Sequence, residues 1–142
     1  ANTVWAFATA GVAAETLFEA IAGAAVNRIG DFNPQAMANT VWAFATAGVA
    51  AETLFEAIAG AAVNRIGDFN PQNMANTVWA FATAGVAAET LFEAIAGRAV
   101  KRIGDFNPQD LANTVWAFAT AGVAAETLFE AIAGAAVNRI GD

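Results

Sequence analysis

Four pairs of glutamates are the residues in this sequence whose types and spacing could do chemistry. The members of each pair are four positions apart, which places two carboxylates side by side on a helix. The pairs are Glu15/Glu19, Glu52/Glu56, Glu89/Glu93 and Glu126/Glu130. Paired carboxylates can act as a general acid and base or bind a cation. Because the pair recurs four times on the polar face of a helix, however, the pattern favours a solvated surface.

The residue types that are missing limit the chemistry further. The chain of 142 residues contains no Cys, His, Ser or Tyr, and its only lysine is Lys101. It therefore has no Ser–His or Cys–His nucleophile pair, no imidazole to transfer protons and no zinc-ligand cluster. A glycine-rich phosphate-binding motif is also missing. We predict a protein that is not an enzyme and has no cofactor, metal site or small-molecule substrate.

The sequence repeats itself with a period of 37 residues. The segment Ala-Asn-Thr-Val-Trp-Ala-Phe-Ala-Thr-Ala-Gly begins at Ala1, Ala38, Ala75 and Ala112. A period of this size is typical of solenoids and propellers, and the helical spacing of the apolar residues favours the solenoid. We predict an all-α fold, an αα-solenoid of four helix–turn–helix repeats with about eight helices. It forms a single domain with repeats at 1–32, 33–69, 70–106 and 107–142.

Helix-capping residues predict where the two helices of each repeat begin and end. Asn33 is a good N-cap, Pro34 suits the first helical position, and Gly48 can adopt the left-handed conformation that ends a helix. The first helix is therefore about 14 residues long. The second helix is predicted over Ala50–Ile66, closed by Gly67.

Two further predictions concern the tryptophans and the chain ends. Trp5, Trp42, Trp79 and Trp116 are predicted to be core anchors, not an exposed ladder for stacking bases. Neither terminal repeat has the polar outer face that isolated solenoids usually need. We therefore expect a piece of a longer array, or ends that stack on other copies of the chain.

Two uncharged stretches of 20 residues, Phe32–Ala51 and Phe69–Ala88, are long enough to span a bilayer. Each contains Asn-Pro-Gln, a second Asn, two Thr and a Gly, which interrupt the apolar run. We predict no membrane span.

The charged residues supply the first binding candidate. The net charge is −7, and the second helix carries Glu in its first turns and Arg in its last turn, as the helix dipole favours. One basic residue per repeat, with two more in the third repeat, could contact successive phosphates of an extended nucleic acid. These residues are Arg28, Arg65, Arg98, Lys101, Arg102 and Arg139. An Asp lies three residues after four of them and offers an ion pair instead.

The second binding candidate is a row of amide side chains on the first helix. The row consists of Gln35, Asn39, Gln72, Asn76, Gln109 and Asn113. Amides can hydrogen-bond to the edges of bases, or they can bond to one another and tie the repeats together. The sequence leaves both roles open.

The segment Phe106–Ala119, Phe-Asn-Pro-Gln-Asp-Leu-Ala-Asn-Thr-Val-Trp-Ala-Phe-Ala, resembles the octotricopeptide and heptatricopeptide repeats of algal and protist organelle proteins. The resemblance covers the whole chain, and the period of 37 residues agrees with it. It implies a modular αα-solenoid that binds single-stranded RNA in a chloroplast or mitochondrion. It also implies that Asn39, Asn76 and Asn113 face the RNA.

Three functional hypotheses follow. The first is a non-catalytic helical-repeat scaffold that binds single-stranded RNA, as the resemblance implies. The second is a protein-binding or architectural subunit of a large organelle assembly, which suits a sequence pI near 4.3 better, because RNA-binding proteins usually carry a basic surface. The third is an engineered array of idealised repeats.

Overall fold

A computed structural model describes residues 15–140 of the chain, and this part consists of helices and short turns. Its α-helices are α1 (Glu15–Asn27), α2 (Pro34–Ala47), α3 (Glu52–Asn64), α4 (Pro71–Ala84), α5 (Glu89–Lys101), α6 (Pro108–Ala121) and α7 (Glu126–Ile140). Three 3₁₀ turns lie at Ile29–Asp31, Ile66–Asp68 and Ile103–Asp105. No strand occurs between residues 15 and 140, and the predicted all-α solenoid fold is confirmed. The helix predicted around Trp5 lies outside the described residues.

The helices form two layers. The first helices of the repeats (α2, α4 and α6) lie side by side in one layer, and the second helices (α1, α3, α5 and α7) form the other. Neighbouring first helices approach each other far more closely than neighbouring second helices do, because they meet through small residues such as Ala38, Ala43 and Ala45. The layer of first helices is therefore the inner, concave side of the solenoid.

Phenylalanines join each repeat to the next in the core between the layers. Phe55 of α3 contacts Phe81 of α4 edge to face, with ring centroids 4.9 Å apart. The pairs Phe18–Phe44 and Phe92–Phe118 repeat this contact at 5.0 Å. All of these rings are buried, and such pairs add to the stability that burial already provides. Because the second helix of one repeat contacts the first helix of the next, a single repeat cannot complete its core.

The ends of the first helices are fixed by side-chain and backbone caps. The Asn33 side-chain oxygen accepts a hydrogen bond from the Ala36 backbone N–H at 2.7 Å. At the other end Gly48 has φ +76°, and the N–H of Val49 donates to the carbonyl of Phe44 at 2.9 Å. Together with the bond from the Gly48 N–H to the Ala45 carbonyl at 3.1 Å, it forms a Schellman motif. The predicted caps and the predicted length of 14 residues are confirmed.

The third residue of the first helix accounts for one of the differences between the repeats. In α4 the N-cap Asn70 accepts from the Asn73 N–H, and the Asn73 side chain accepts from the Asn70 N–H at 3.2 Å. Asp110 plays the same part towards Asn107 in α6. Ala36 has no side-chain acceptor, so α2 has only half of this reciprocal capping box.

The second helix is shorter than the sequence predicts. In the second repeat it spans Glu52–Asn64, and the 3₁₀ turn Ile66–Asp68 follows it. The prediction that Gly67 closes this helix is wrong, because Gly67 lies inside the 3₁₀ turn and does not have positive φ. The Phe69 N–H donates to the Ile66 carbonyl at 3.1 Å, which tightens the chain before the next repeat. None of the helices in the described part is long and apolar enough to cross a membrane.

Two glycine-to-alanine substitutions should change stability in opposite directions. Gly85 has φ +72° and needs a left-handed backbone, so Gly85→Ala should destabilise the chain by about 1–2 kcal/mol. Gly60 lies inside α3, and a Cβ there would meet no atom within 4 Å. Gly60→Ala should therefore stabilise the chain by up to about 1 kcal/mol, through helix propensity alone. Guanidinium unfolding of both variants measures the difference, and shifts of the same sign would contradict it.

Candidate nucleic-acid interface

The surface of each first helix that faces away from the second helices presents one recurring set of side chains. On α2 these are Gln35, Asn39, Trp42 and Thr46, spaced so that they form one stripe along the helix. Each is exposed or half-buried, whereas the row containing Met37, Val41 and Phe44 on the opposite side is buried. The equivalent residues are Gln72, Asn76, Trp79 and Thr83 on α4, and Gln109, Asn113, Trp116 and Thr120 on α6. We call this set the concave stripe.

The tryptophans of neighbouring repeats stand next to one another across the concave stripe. The ring centroids of Trp42 and Trp79 are 6.3 Å apart with planes inclined by 31°. Trp79 and Trp116 are also 6.3 Å apart, with planes inclined by 33°. These three residues form what we call the tryptophan ladder.

The prediction that the tryptophans are core anchors holds only in part. Trp42 and Trp79 are only half-buried, and Trp116 is 46% exposed. Trp42 and Trp79 pack against the core, whereas Trp116 borders an apolar groove beside α6 and α7. Trp5, the fourth member of the predicted set, lies outside the described residues.

The amide rows lie beside the ladder. Gln109 Nε2 donates a hydrogen bond to Asn113 Oδ1 at 3.1 Å, along the same helix. Within residues 17–137 no hydrogen bond joins the amide of one repeat to that of the next. The Asn113 Nδ2 donor and the Gln109 Oε1 acceptor therefore remain available for a ligand.

Two of the candidate arginines hold neighbouring repeats together. Arg65 Nη1 donates to the backbone carbonyl of Phe32, and Arg102 Nη1 donates to that of Phe69 at 3.3 Å. Each also lies near the Asp three residues further on, with 3.8 Å from Arg65 Nε to Asp68 Oδ2 and 3.4 Å from Arg102 Nε to Asp105 Oδ2. The ion pairs that the sequence suggested are present, together with cross-repeat contacts that it did not.

The remaining basic residues lie on the second helices or just after them, away from the concave stripe. Arg98 Nη2 donates to the Gly67 carbonyl at 3.2 Å, so the joint between the second and third repeats has an additional cationic contact. Arg28 and Lys101 are exposed. The side chain of Arg139 lies outside the described ones.

The glutamates also lie on the second helices. Glu52, Glu56, Glu89 and Glu93 are all exposed. In the described part no group of three or more acidic side chains is placed to hold a metal ion. Negative charge therefore collects on the layer opposite the concave stripe.

The profile of the RNA-editing substrate-binding complex 6 protein family matches residues 1–142. The chain belongs to this family. The match covers every helix from α1 to α7. A search of curated proteins found no match.

Removing the guanidinium of Arg102 should loosen the joint between repeats. Arg102→Met keeps the aliphatic stem but loses the bonds to Phe69 and Asp105, and should destabilise the chain by about 1 kcal/mol. Lys101→Met on the exposed neighbouring position is the matched control and should change stability by less than about 0.5 kcal/mol. Thermal and guanidinium unfolding compare the two variants. Equal stability of both would show that the contact to Phe69 contributes nothing.

Proposed function

We propose that this chain is a non-catalytic helical-repeat scaffold that binds single-stranded RNA along its concave stripe. The name of its family describes a protein of a complex that binds RNA-editing substrates, and a scaffold or assembly role in such a complex agrees with a sequence that has no Ser–His or Cys–His pair. We further propose that the repeats are of the octotricopeptide or heptatricopeptide type, in a protein that works in a mitochondrion or chloroplast.

The observation that carries the proposal is the recurrence of indole and amide groups along one continuous surface. Proteins recognise single-stranded RNA by stacking its bases on aromatic side chains and by hydrogen-bonding to the base edges. The tryptophan ladder supplies a partly accessible aromatic surface. The amides of Gln72 and Asn76, and their equivalents on α2 and α6, supply donors and acceptors beside each ring.

The charges determine what kind of binding this would be. In the described part the concave stripe contains no charged side chain, whereas the glutamates lie on the opposite layer. Arg65 and Arg102 already bind carbonyl groups and carboxylates of the chain itself. The bases would therefore face the stripe, while the phosphates point towards solvent and make few ion pairs. This explains how a chain with a net charge of −7 could still bind RNA.

A salt series with fluorescein-labelled single-stranded RNA tests this arrangement. Fluorescence polarisation should detect binding whose logarithmic dependence on salt is shallow, with a slope below about 1.5 in magnitude, equivalent to two phosphate contacts. Asn76→Ala should weaken binding severalfold, because it removes one base-edge partner of about 0.5–1.5 kcal/mol. An RNA duplex of equal length is the control and should not bind.

Other outcomes of the salt series would count against the proposal. A steep salt dependence of RNA affinity that becomes shallower in Arg28→Gln and Lys101→Gln would show that the basic residues bind the RNA instead. No binding even at low salt would remove RNA as the ligand.

An apolar groove supports a second candidate function, that of an architectural subunit. A groove of about 820 Å³ beside α6 and α7 is lined by Pro108, Leu111, Ala112, Val115, Trp116, Ala119, Ile132 and Ala136. The equivalent residues of α4 are covered by α6, and Ala75 there is completely buried. The groove thus reproduces an internal joint of the solenoid. The occupant that it fits is a first helix from a second copy of the chain.

Sedimentation velocity over a range of protein concentrations tests this second candidate. The chain should associate end to end, and Ala112→Glu should shift the association to concentrations about tenfold higher, because the carboxylate would be buried in the joint. Ala124→Glu, on an exposed loop position, is the matched control and should leave association unchanged. A strictly monomeric chain at all concentrations would exclude self-stacking.

A further inference from the structure

Two grooves recur in the layer of second helices, one repeat apart. The groove between α1 and α3 has a volume of about 530 Å³, and the groove between α3 and α5 has a volume of about 510 Å³. Both are within the size range of pockets that hold a small ligand, about 300–1,000 Å³. We call them the outer grooves. Equivalent residues line both of them, with Val26, Asn27 and Glu52 in the first and Val63, Asn64 and Glu89 in the second.

Each outer groove combines apolar surface with negative charge. In the first groove Leu54 is buried and Val26 is half-buried, so aliphatic side chains form its floor. Glu19 and Glu52 line the same groove and are exposed, so carboxylates form its rim. Among the described side chains both ion pairs involve aspartates, which leaves the glutamates of the outer grooves without a cationic partner.

A glycine of the second helix lines each outer groove, Gly23 in the first and Gly60 in the second. Glycine is less favourable than alanine inside a helix. Neither glycine has a positive φ, and a Cβ at either position would meet no atom within 4 Å. Packing within the chain therefore does not explain why these positions hold glycine. The close approach of another molecule to the helix backbone would explain it.

The step between α5 and α7 carries a different charge at the equivalent positions. Lys101 stands where the first two repeats have Asn27 and Asn64, and it is exposed. An ammonium group at this position would repel a cationic ligand, whereas the amide oxygen of Asn64 could accept a hydrogen bond from it. A cationic ligand would therefore favour the outer grooves over this step.

We propose that the outer grooves bind a cationic peptide segment of a partner protein. One aliphatic side chain of the segment enters a groove and displaces water from its floor, while the flanking Lys or Arg side chains lie against the carboxylates of the rim. The same carboxylates repel a nucleic acid, because its phosphates are also negative. None of the residues that line the outer grooves belongs to the concave stripe, so the inference is independent of RNA binding, and both ligands could be bound at once.

The peptide Lys-Lys-Leu-Lys-Lys, labelled with fluorescein, tests the ligand class with the full chain. Fluorescence polarisation should show binding, and isothermal titration should give one peptide per outer groove. A peptide with Ser in place of Leu has the same charge and should bind at least about fivefold more weakly, because it buries no aliphatic side chain. Equal affinity of the two peptides would show attraction to the net charge alone and would overturn the proposal, as would a Leu peptide that does not bind.

The grooves are tested by giving the second one the charge of the third step. Asn64→Lys should remove one of the two peptide sites, because the ammonium group repels the peptide. Ala133→Lys adds the same charge at an exposed position of α7, away from the outer grooves, and should leave both sites intact. The third repeat already accommodates lysine at the equivalent position, so Asn64→Lys should fold. Two sites of unchanged affinity in Asn64→Lys would overturn the location of the ligand.

The glycines provide a test that separates binding from stability. The double substitution Gly23→Ala and Gly60→Ala should stabilise the chain in guanidinium unfolding and yet weaken peptide binding severalfold, because each methyl group would project into a groove. Gly97→Ala, the same change on α5, should leave the affinity unchanged. A purely structural role for the glycines does not predict this opposite effect on stability and affinity. Undiminished peptide affinity of the folded double variant would overturn close contact between the ligand and the helix backbone.

Discussion

The edge-to-face contact between phenylalanines of consecutive repeats fixes the geometry on which the other features depend. Phe55 reaches from the second helix of one repeat to Phe81 on the first helix of the next. Because this contact recurs between equivalent residues at nearly the same distance, every repeat is placed on its neighbour in the same way. The constant placement brings the tryptophans to the same separation at both described steps. Close packing of the first helices through alanines then gives the solenoid its concave side.

The two layers carry different kinds of side chain on their surfaces. The first helices carry neutral amides, hydroxyls and indoles on their free surface, whereas the second helices and the turns after them carry the carboxylates and guanidinium groups. Several of those guanidinium groups bind the backbone carbonyls of the preceding turn. These guanidinium groups, which could otherwise attract a nucleic acid, hold neighbouring repeats together. In the proposed RNA complex, recognition would rest on stacking and hydrogen bonding.

The sequence predicted those parts of the fold that depend on neighbouring residues. The first helix was located correctly because Asn33, Pro34 and Gly48 act within one turn of its ends. The end of the second helix was misplaced because a glycine after a helix suits either a left-handed cap or a 3₁₀ turn. Here the bond from Phe69 to Ile66, next to the joint with the following repeat, favours the turn.

The candidate site was predicted only in part. Helical spacing put Gln72 and Asn76 on one face, which the structure also shows. The indoles were assigned to the core because Trp79 falls on the border between the buried row and the exposed one, where hydrophobicity alone favours burial. The carbonyl partner of Arg102 lies 33 residues earlier in the chain, and no local pattern indicates such a contact.

The joints between repeats also have a consequence for how such a protein can change during evolution. The joints use nearly the same residues on both sides, so a gene that gains or loses one unit of 37 residues produces a chain whose joints remain compatible. Recombination between nearly identical coding units can thus alter the length of the array in a single event without an intermediate that fails to fold. Single substitutions such as those at Arg98 and Asp110 then give individual units an identity within the array. Length can change in whole units, whereas the character of each unit changes one residue at a time.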